Sequence, residues 1–159
     1  MKKSKIINIA IILIFFLFVS NSIKAQGCYG YHKVDTDCRI SSDGGFRIYG
    51  QSKSAVVEIN KTFEYKLVLY GQKDYIISLC SDKRIPIKYK IINARSKNVL
   101  FDNSEDDYIN SVGFSNDFTQ SVIIEITIEN EDFEIDRADD GLACVGVNIY
   151  WRKTPKIGF

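Results

Sequence analysis

The sequence predicts an all-β fold: one antiparallel, jelly-roll-like β-sandwich of about eight or nine strands behind an N-terminal signal peptide. Three observations carry this. Short runs rich in Ile, Val, Tyr and Phe recur along the chain, several alternating apolar and polar with period two. No segment after residue 25 carries a helical apolar stripe of ten or more residues. The 159 residues fit one domain, and the only two prolines, Pro86 and Pro155, fall where strands tolerate them.

The elements follow in chain order. Lys2, Lys3 and Lys5 precede an apolar run from Ile6 to Val19, then a polar exit and Ala25. This is the layout of a secretory signal peptide, with cleavage expected before Gln26. The run is shorter than the roughly 18 apolar residues of a membrane span. An uncleaved anchor and lipidation of Cys28 are the alternatives. Lipidation would leave three cysteines, an odd number in an oxidising compartment.

Residues 26–44 form a cysteine-containing N-terminal segment. Residues 45–153 form the predicted sandwich, and 154–159 a tail. Strands are expected at 46–50, 55–59, 63–70, 75–80, 87–91, 98–101, 108–114, 120–129 and 144–152. The third alternates well: Phe63, Tyr65, Leu67 and Leu69 share one face. With the turn Gly71-Gln72-Lys73-Asp74 and the next run it reads as a hairpin. The run at 120–129 is the clearest, with Val122, Ile124, Ile126 and Ile128 opposite Glu125, Thr127 and Glu129.

Cys28, Cys38, Cys80 and Cys144 all follow the leader. An even count outside the cytosol implies disulfides, and four cysteines allow three connectivities. Cys28 and Cys38 are close in sequence. Cys80 and Cys144 share outward parity on their strands. Cys28–Cys38 with Cys80–Cys144 is therefore the expected pairing. Zinc at Cys28, His32 and Cys38 is disfavoured by irregular spacing, and His32 is expected on an exposed loop.

The whole chain has a formal charge of +1. Without residues 1–25 it has 17 basic and 20 acidic groups, net −3. Residues 26–97 carry +6 and residues 98–159 carry −9. This balance and export exclude a nucleic-acid binder. Interleaved strands would set the two charge blocks beside each other.

One histidine leaves little material for catalytic triads or multi-His metal sites. No P-loop or G-x-S-x-G pattern occurs, and nothing selects a carboxylate pair for glycoside hydrolysis. No catalytic residue is assigned, and the chain is expected not to be an enzyme. No cofactor is required. Calcium is a candidate at Asp102, Ser104, Asp106 and Asp107, whose start resembles a calcium loop. The match fails as an EF-hand, with Asp107 where Gly is needed and Gly113 where Glu is needed. A second acidic run at 131–140 reads as a long exposed connection. Candidate ligand-binding rings are Tyr29, Tyr31, Tyr150 and Trp151. Tyr150 is expected to be exposed, and Trp151 to complete a core stripe with Val145, Val147 and Ile149.

Two resemblances add to this reading. Gly71-Gln72, Tyr75-Ile76-Ile77-Ser78-Leu79, Leu100-Phe101-Asp102-Asn103 and the strand from Thr119 to Glu129 resemble a pre-peptidase C-terminal-type jelly-roll domain. Gln51-Ser52-Lys53-Ser54-Ala55, Gly71-Gln72-Lys73-Asp74-Tyr75, Asp102-Asn103-Ser104, Cys144-Val145-Gly146-Val147 and the tail from Thr154 to Phe159 resemble small exported Bacteroidota proteins of unassigned activity. The second resemblance implies export and one compact domain, and supplies no catalytic residue. The expected function is an exported, non-enzymatic binding or accessory module in the periplasm or outside the cell. Its partner is a protein or a glycan, with no nucleic acid and no membrane span after cleavage. The alternatives are carbohydrate binding through exposed aromatics, with possible calcium, and a structural protein that docks a partner by its tail or an edge strand.

Overall fold

A computed structural model describes residues 28–34, 38–40, 44–83, 85–129 and 141–155. The expected signal peptide, the acidic run at 131–140 and the tail beyond Pro155 lie outside these residues. Among these residues a helical turn, α1 (Tyr31–Val34), precedes nine strands. These are β1 (Arg47–Ile48), β2 (Lys53–Glu58), β3 (Phe63–Leu69), β4 (Lys73–Ser81), β5 (Ile87–Asn93), β6 (Val99–Asp102), β7 (Ser111–Asn116), β8 (Gln120–Ile128) and β9 (Leu142–Lys153).

Alternation becomes two packed layers. One sheet runs β1-β9-β4-β7, with β2 also paired to β9; the other runs β3-β8-β5-β6. Every pairing is antiparallel. β1 meets β9 at Tyr150 and Trp151 and β2 meets it from Leu142 to Val147, so both share one edge of β9. The core lies between the sheets. Tyr65, Leu67, Leu69, Tyr89, Ile91, Val122, Ile124 and Ile126 face Tyr75, Ile77, Leu79, Val145, Val147 and Ile149. A fully buried aliphatic side chain of this size contributes about 1.5–3 kcal/mol.

The expected hairpin between β3 and β4 does not form, because the two strands belong to different sheets. Alternation reports which face is buried, not which sheet a strand joins. The chain crosses at Gly71, where a Cβ would sit 2.6 Å from the Asp117 carbonyl oxygen. Gln72 follows with φ 57°. Asp74, expected in the turn, is inside β4 and buried.

The outer faces of the sheets differ. Outward positions on β3, β5 and β8 carry Glu64, Lys66, Lys88, Lys90, Glu125 and Thr127. On β4 and β9 they carry Ser78, Cys80, Gly146, Asn148 and Tyr150, all buried. The cysteine segment covers them. Cys28 is bonded to Cys144 on β9 (Cα–Cα 5.3 Å), and Cys38 to Cys80 on β4 (Cα–Cα 4.9 Å). The expected pairing is corrected by strand register. Cys80 lies opposite Gly146, so Cys144 is a diagonal neighbour two residues away. Diagonal positions stand about 7–8 Å apart, beyond the usual reach of a disulfide.

Candidate functional site

The segment from Cys28 to Ile40 forms a strap over the outer face, and its seat is built from small residues. A Cβ at Gly146 would lie 2.5 Å from the Cys38 sulfur and 3.0 Å from the His32 Cα. Asn148 donates to the carbonyls of His32 (2.8 Å) and Cys38 (2.9 Å). Ser54 on β2 accepts from the His32 amide at 2.9 Å, and its hydroxyl lies 2.7 Å from His32 Nδ1. His32 is therefore buried, not on an exposed loop. Burial first, then the Lys33 charge, lowers its pKa, so the ring is neutral at pH 7. No carboxylate contributes to that shift. The His32–Ser54 pair anchors the strap. Among the described residues, no third, orienting group of a nucleophilic triad bonds to it.

Tyr150 was expected exposed, but only 4% of its surface is open. Its outward parity holds, and the strap covers it: the Ile40 amide donates to its hydroxyl at 3.4 Å. Tyr29 is 95% exposed, Tyr31 is half-buried on α1, and Trp151 is half-buried against the core. The structure does not gather these four rings into one concavity.

The calcium candidates are used otherwise. Asp102 accepts from the Ser104 amide (3.1 Å) and hydroxyl (2.6 Å) and pairs with Lys90 at 2.8 Å. The Lys90 bond, then Ser104, depresses its pKa to about 2. Asp106 and Asp107 are exposed. No group of three or more His, Cys, Asp or Glu side chains among the described residues is arranged to hold a metal. Between these acids lies the fully buried Asn103, which sequence reasoning missed. Its amide accepts from Tyr89 N (2.7 Å) and donates to the carbonyls of Ile87 (2.7 Å) and Ile109 (3.2 Å).

The most distinctive surface is the end of the sandwich where β3, β5 and β7 finish. Three side-chain amides form a chain there. Asn93 donates to Gln120 (2.7 Å), Gln120 donates to Asn116 (2.6 Å), and Asn116 donates to the carbonyls of Phe118 (2.7 Å) and Tyr70 (2.9 Å). Gly71 N donates to the Thr119 hydroxyl at 3.1 Å. Asn93 also accepts from the amides of Arg95 and Ser96. Three loops are thus tied together, and on the middle one Phe118 is 82% exposed. Beneath it, Tyr49 packs edge-on against Tyr70 and Tyr75, with centroids 6.3 and 6.0 Å away. Burial, then the neighbouring tyrosines, pushes the Tyr49 pKa up to about 12.

No family model matches the chain, and no curated protein matches it. Among solved structures it is similar to Aeromonas hydrophila PliG, a periplasmic lysozyme inhibitor of g-type lysozyme. The TM-score is 0.45 at 7% identity, over 72% of this chain and 92% of that one. A likeness of that degree bears on neither ligand nor partner.

Two disulfides belong to an oxidising compartment and mark an exported protein. Among the described residues no helix is long and apolar enough to cross a membrane. Phe118 and Tyr70 are the rings the loop end exposes, and neither was a sequence candidate. The available signal was a lone Phe in Asn116-Asp117-Phe118-Thr119, a polar turn where no core position is due.

Proposed function

We propose that the protein is an exported, non-enzymatic binding module whose contact surface is the loop end carrying Phe118. One observation carries this: a chain of three amides ties down the backbone of a loop that presents an aromatic ring to solvent. Exposing a Phe forgoes about 1.5–3 kcal/mol of burial. Fixing its loop in advance lowers the ordering cost of association. Aromatic anchors of this kind dominate binding energy at protein surfaces.

The finer parts of the reading have their own support. The interleaved order β2-β9-β4-β7 over β3-β8-β5-β6 supports a jelly roll of two Greek keys. The basic, apolar and polar succession of residues 1–25 supports a cleaved signal peptide. A Cys28 sulfur bonded to Cys144 has no thiol left to carry a lipid, which supports a released periplasmic or extracellular protein. The resemblance to small exported Bacteroidota proteins belongs to the same reading.

The test is a photo-crosslinking residue placed at Phe118 in cells expressing the protein. The control sits at Lys61, an exposed position on the β2–β3 turn at the opposite end. A defined adduct at 118 and none at 61 is expected. Equal labelling at both positions would sink the proposal.

A further inference from the structure

The same loop end is locally basic although the chain without its leader is net acidic. Lys73 and Lys153 face each other in register across β4 and β9. Like charges directly opposite destabilise a sheet. Neither lysine has a salt bridge among the described residues. The nearby carboxylate, Asp74, is taken by Arg152 (2.9 Å), Ser115 (2.8 Å) and Thr154 (2.9 Å). The Lys73 ammonium instead lies 4.0 Å from the centroid of Trp151 and 5.0 Å from that of Tyr70. A cleft of about 570 Å³ opens between the Gly71–Lys73 turn, Asp117 and Lys153–Pro155. A second cleft, of about 460 Å³ and lined by Arg95, lies along Thr119–Ser121. Phe118 stands on the loop that borders both.

We infer that this end binds an anionic saccharide, a sugar chain whose rings carry carboxylate or sulfate. The charged group sits between Lys73 and Lys153. The apolar face of a ring stacks on Phe118, and the chain continues toward Arg95. Charge complementarity selects an anion. Asp117, a carboxylate lining the same cleft, is an acceptor for hydroxyl donors, which a sugar ring carries and an ionised glutamate or aspartate side chain does not. A sugar ring supplies both the anion and the hydroxyls. This inference rests on the reading of the loop end as the contact surface.

The experiment is affinity electrophoresis of the oxidised protein in gels containing polygalacturonate, dextran sulfate, neutral dextran or polyglutamate, at two salt concentrations. Retardation by polygalacturonate or dextran sulfate is expected, weaker at high salt, with little effect of dextran or polyglutamate. The two anionic arms separate carboxylate from sulfate recognition. K73Q/K153Q and Phe118→Ala should each weaken binding roughly tenfold or more, the loss expected from one or two charge-assisted hydrogen bonds or an aromatic anchor. Thermal unfolding checks each fold, and K153Q, at an exposed strand end, carries the test if Lys73 variants do not fold. Binding unchanged in the lysine variants, equal binding to polyglutamate, or no binding to either anionic saccharide would overturn the inference. Binding to neutral dextran that depends on Phe118 alone would overturn it too, yet leave the contact surface standing. Crosslinking at position 118 tests that surface separately.

Discussion

Two buried asparagines do different work at opposite ends of the sandwich. Asn103 is fully buried and completes the edge of β5, bonding Tyr89 N and the Ile87 carbonyl where β6 has ended. Asn116 is 3% exposed and ties Tyr70 to Phe118. Truncating either strands backbone groups away from water, at about 1–3 kcal/mol per group. Asn103→Ala and Asn116→Ala should therefore each lower unfolding free energy by roughly 2–4 kcal/mol, read by urea titration. Their effect on the contact surface should differ. Asn116→Ala should also weaken crosslinking at position 118, whereas Asn103→Ala should leave it unchanged. Equal loss of crosslinking in both variants would show that global stability, not the amide chain, governs the loop end.

At the scale of elements, the strap is the part that strand logic does not reach. The described residues of this segment, 28–34 and 38–40, contain one helical turn and no strand, yet they cover one face of β4 and β9. The two bridges close separations of 116 and 42 residues. Each should contribute about 2–5 kcal/mol. Changing Cys28 and Cys144 to Ser should cost a stability of that order, and so should changing Cys38 and Cys80. Removing all four sulfurs should free the strap, so that trypsin cuts after Lys33 and Arg39 faster than in the native protein. A four-Ser protein as stable and as resistant at the strap as the native one would refute this.

The longer strands were legible because β3, β4, β5, β8 and β9 each bury a face on a shared core, and period two records that directly; β1, with both residues exposed, carries no such stripe. Val122, Ile124, Ile126 and Ile128 need no partner to be recognised as a stripe. Burial on a second face left a fainter record: β9 runs from Leu142 to Trp151 without a charge, and β4 from Tyr75 to Ser81 likewise. Read as alternation, those runs placed Tyr150 in solvent. Read as doubly covered strands, they call for a lid, and the only cysteine-bearing segment left was residues 28–40. Phe118, Tyr70 and the amide chain were not legible. Their meaning depends on three loops, distant in sequence, meeting at one end of the fold.

At the scale of the molecule, the interleaved strand order resolves the segregated charge. Lys88 pairs with Glu129 (2.9 Å), Lys90 with Asp102 (2.8 Å) and Asp74 with Arg152 (2.9 Å), each joining the early block to the late one. The two aspartates fasten one sheet each, Asp102 between β5 and β6 and Asp74 between β4 and β9. Burial alone would raise the Asp74 pKa, but hydrogen bonds from Ser115, Arg152 and Thr154 outweigh it, and the net shift is downward. Asp102 is lowered to about 2. An unfolded aspartate titrates near pH 3.9. Below that pH the unfolded chain takes up protons that the folded chain refuses, so stability falls with acidification. The contribution of both groups is complete above about pH 5 and is lost as pH drops through the folded values, near pH 2 for Asp102. Urea unfolding followed from pH 6 to pH 2 should show a steep loss below pH 4. D74N/D102N should start less stable at pH 6 and lose less on acidification, bringing the two curves together near pH 2. Parallel curves for native protein and variant would show that other carboxylates drive the acid transition.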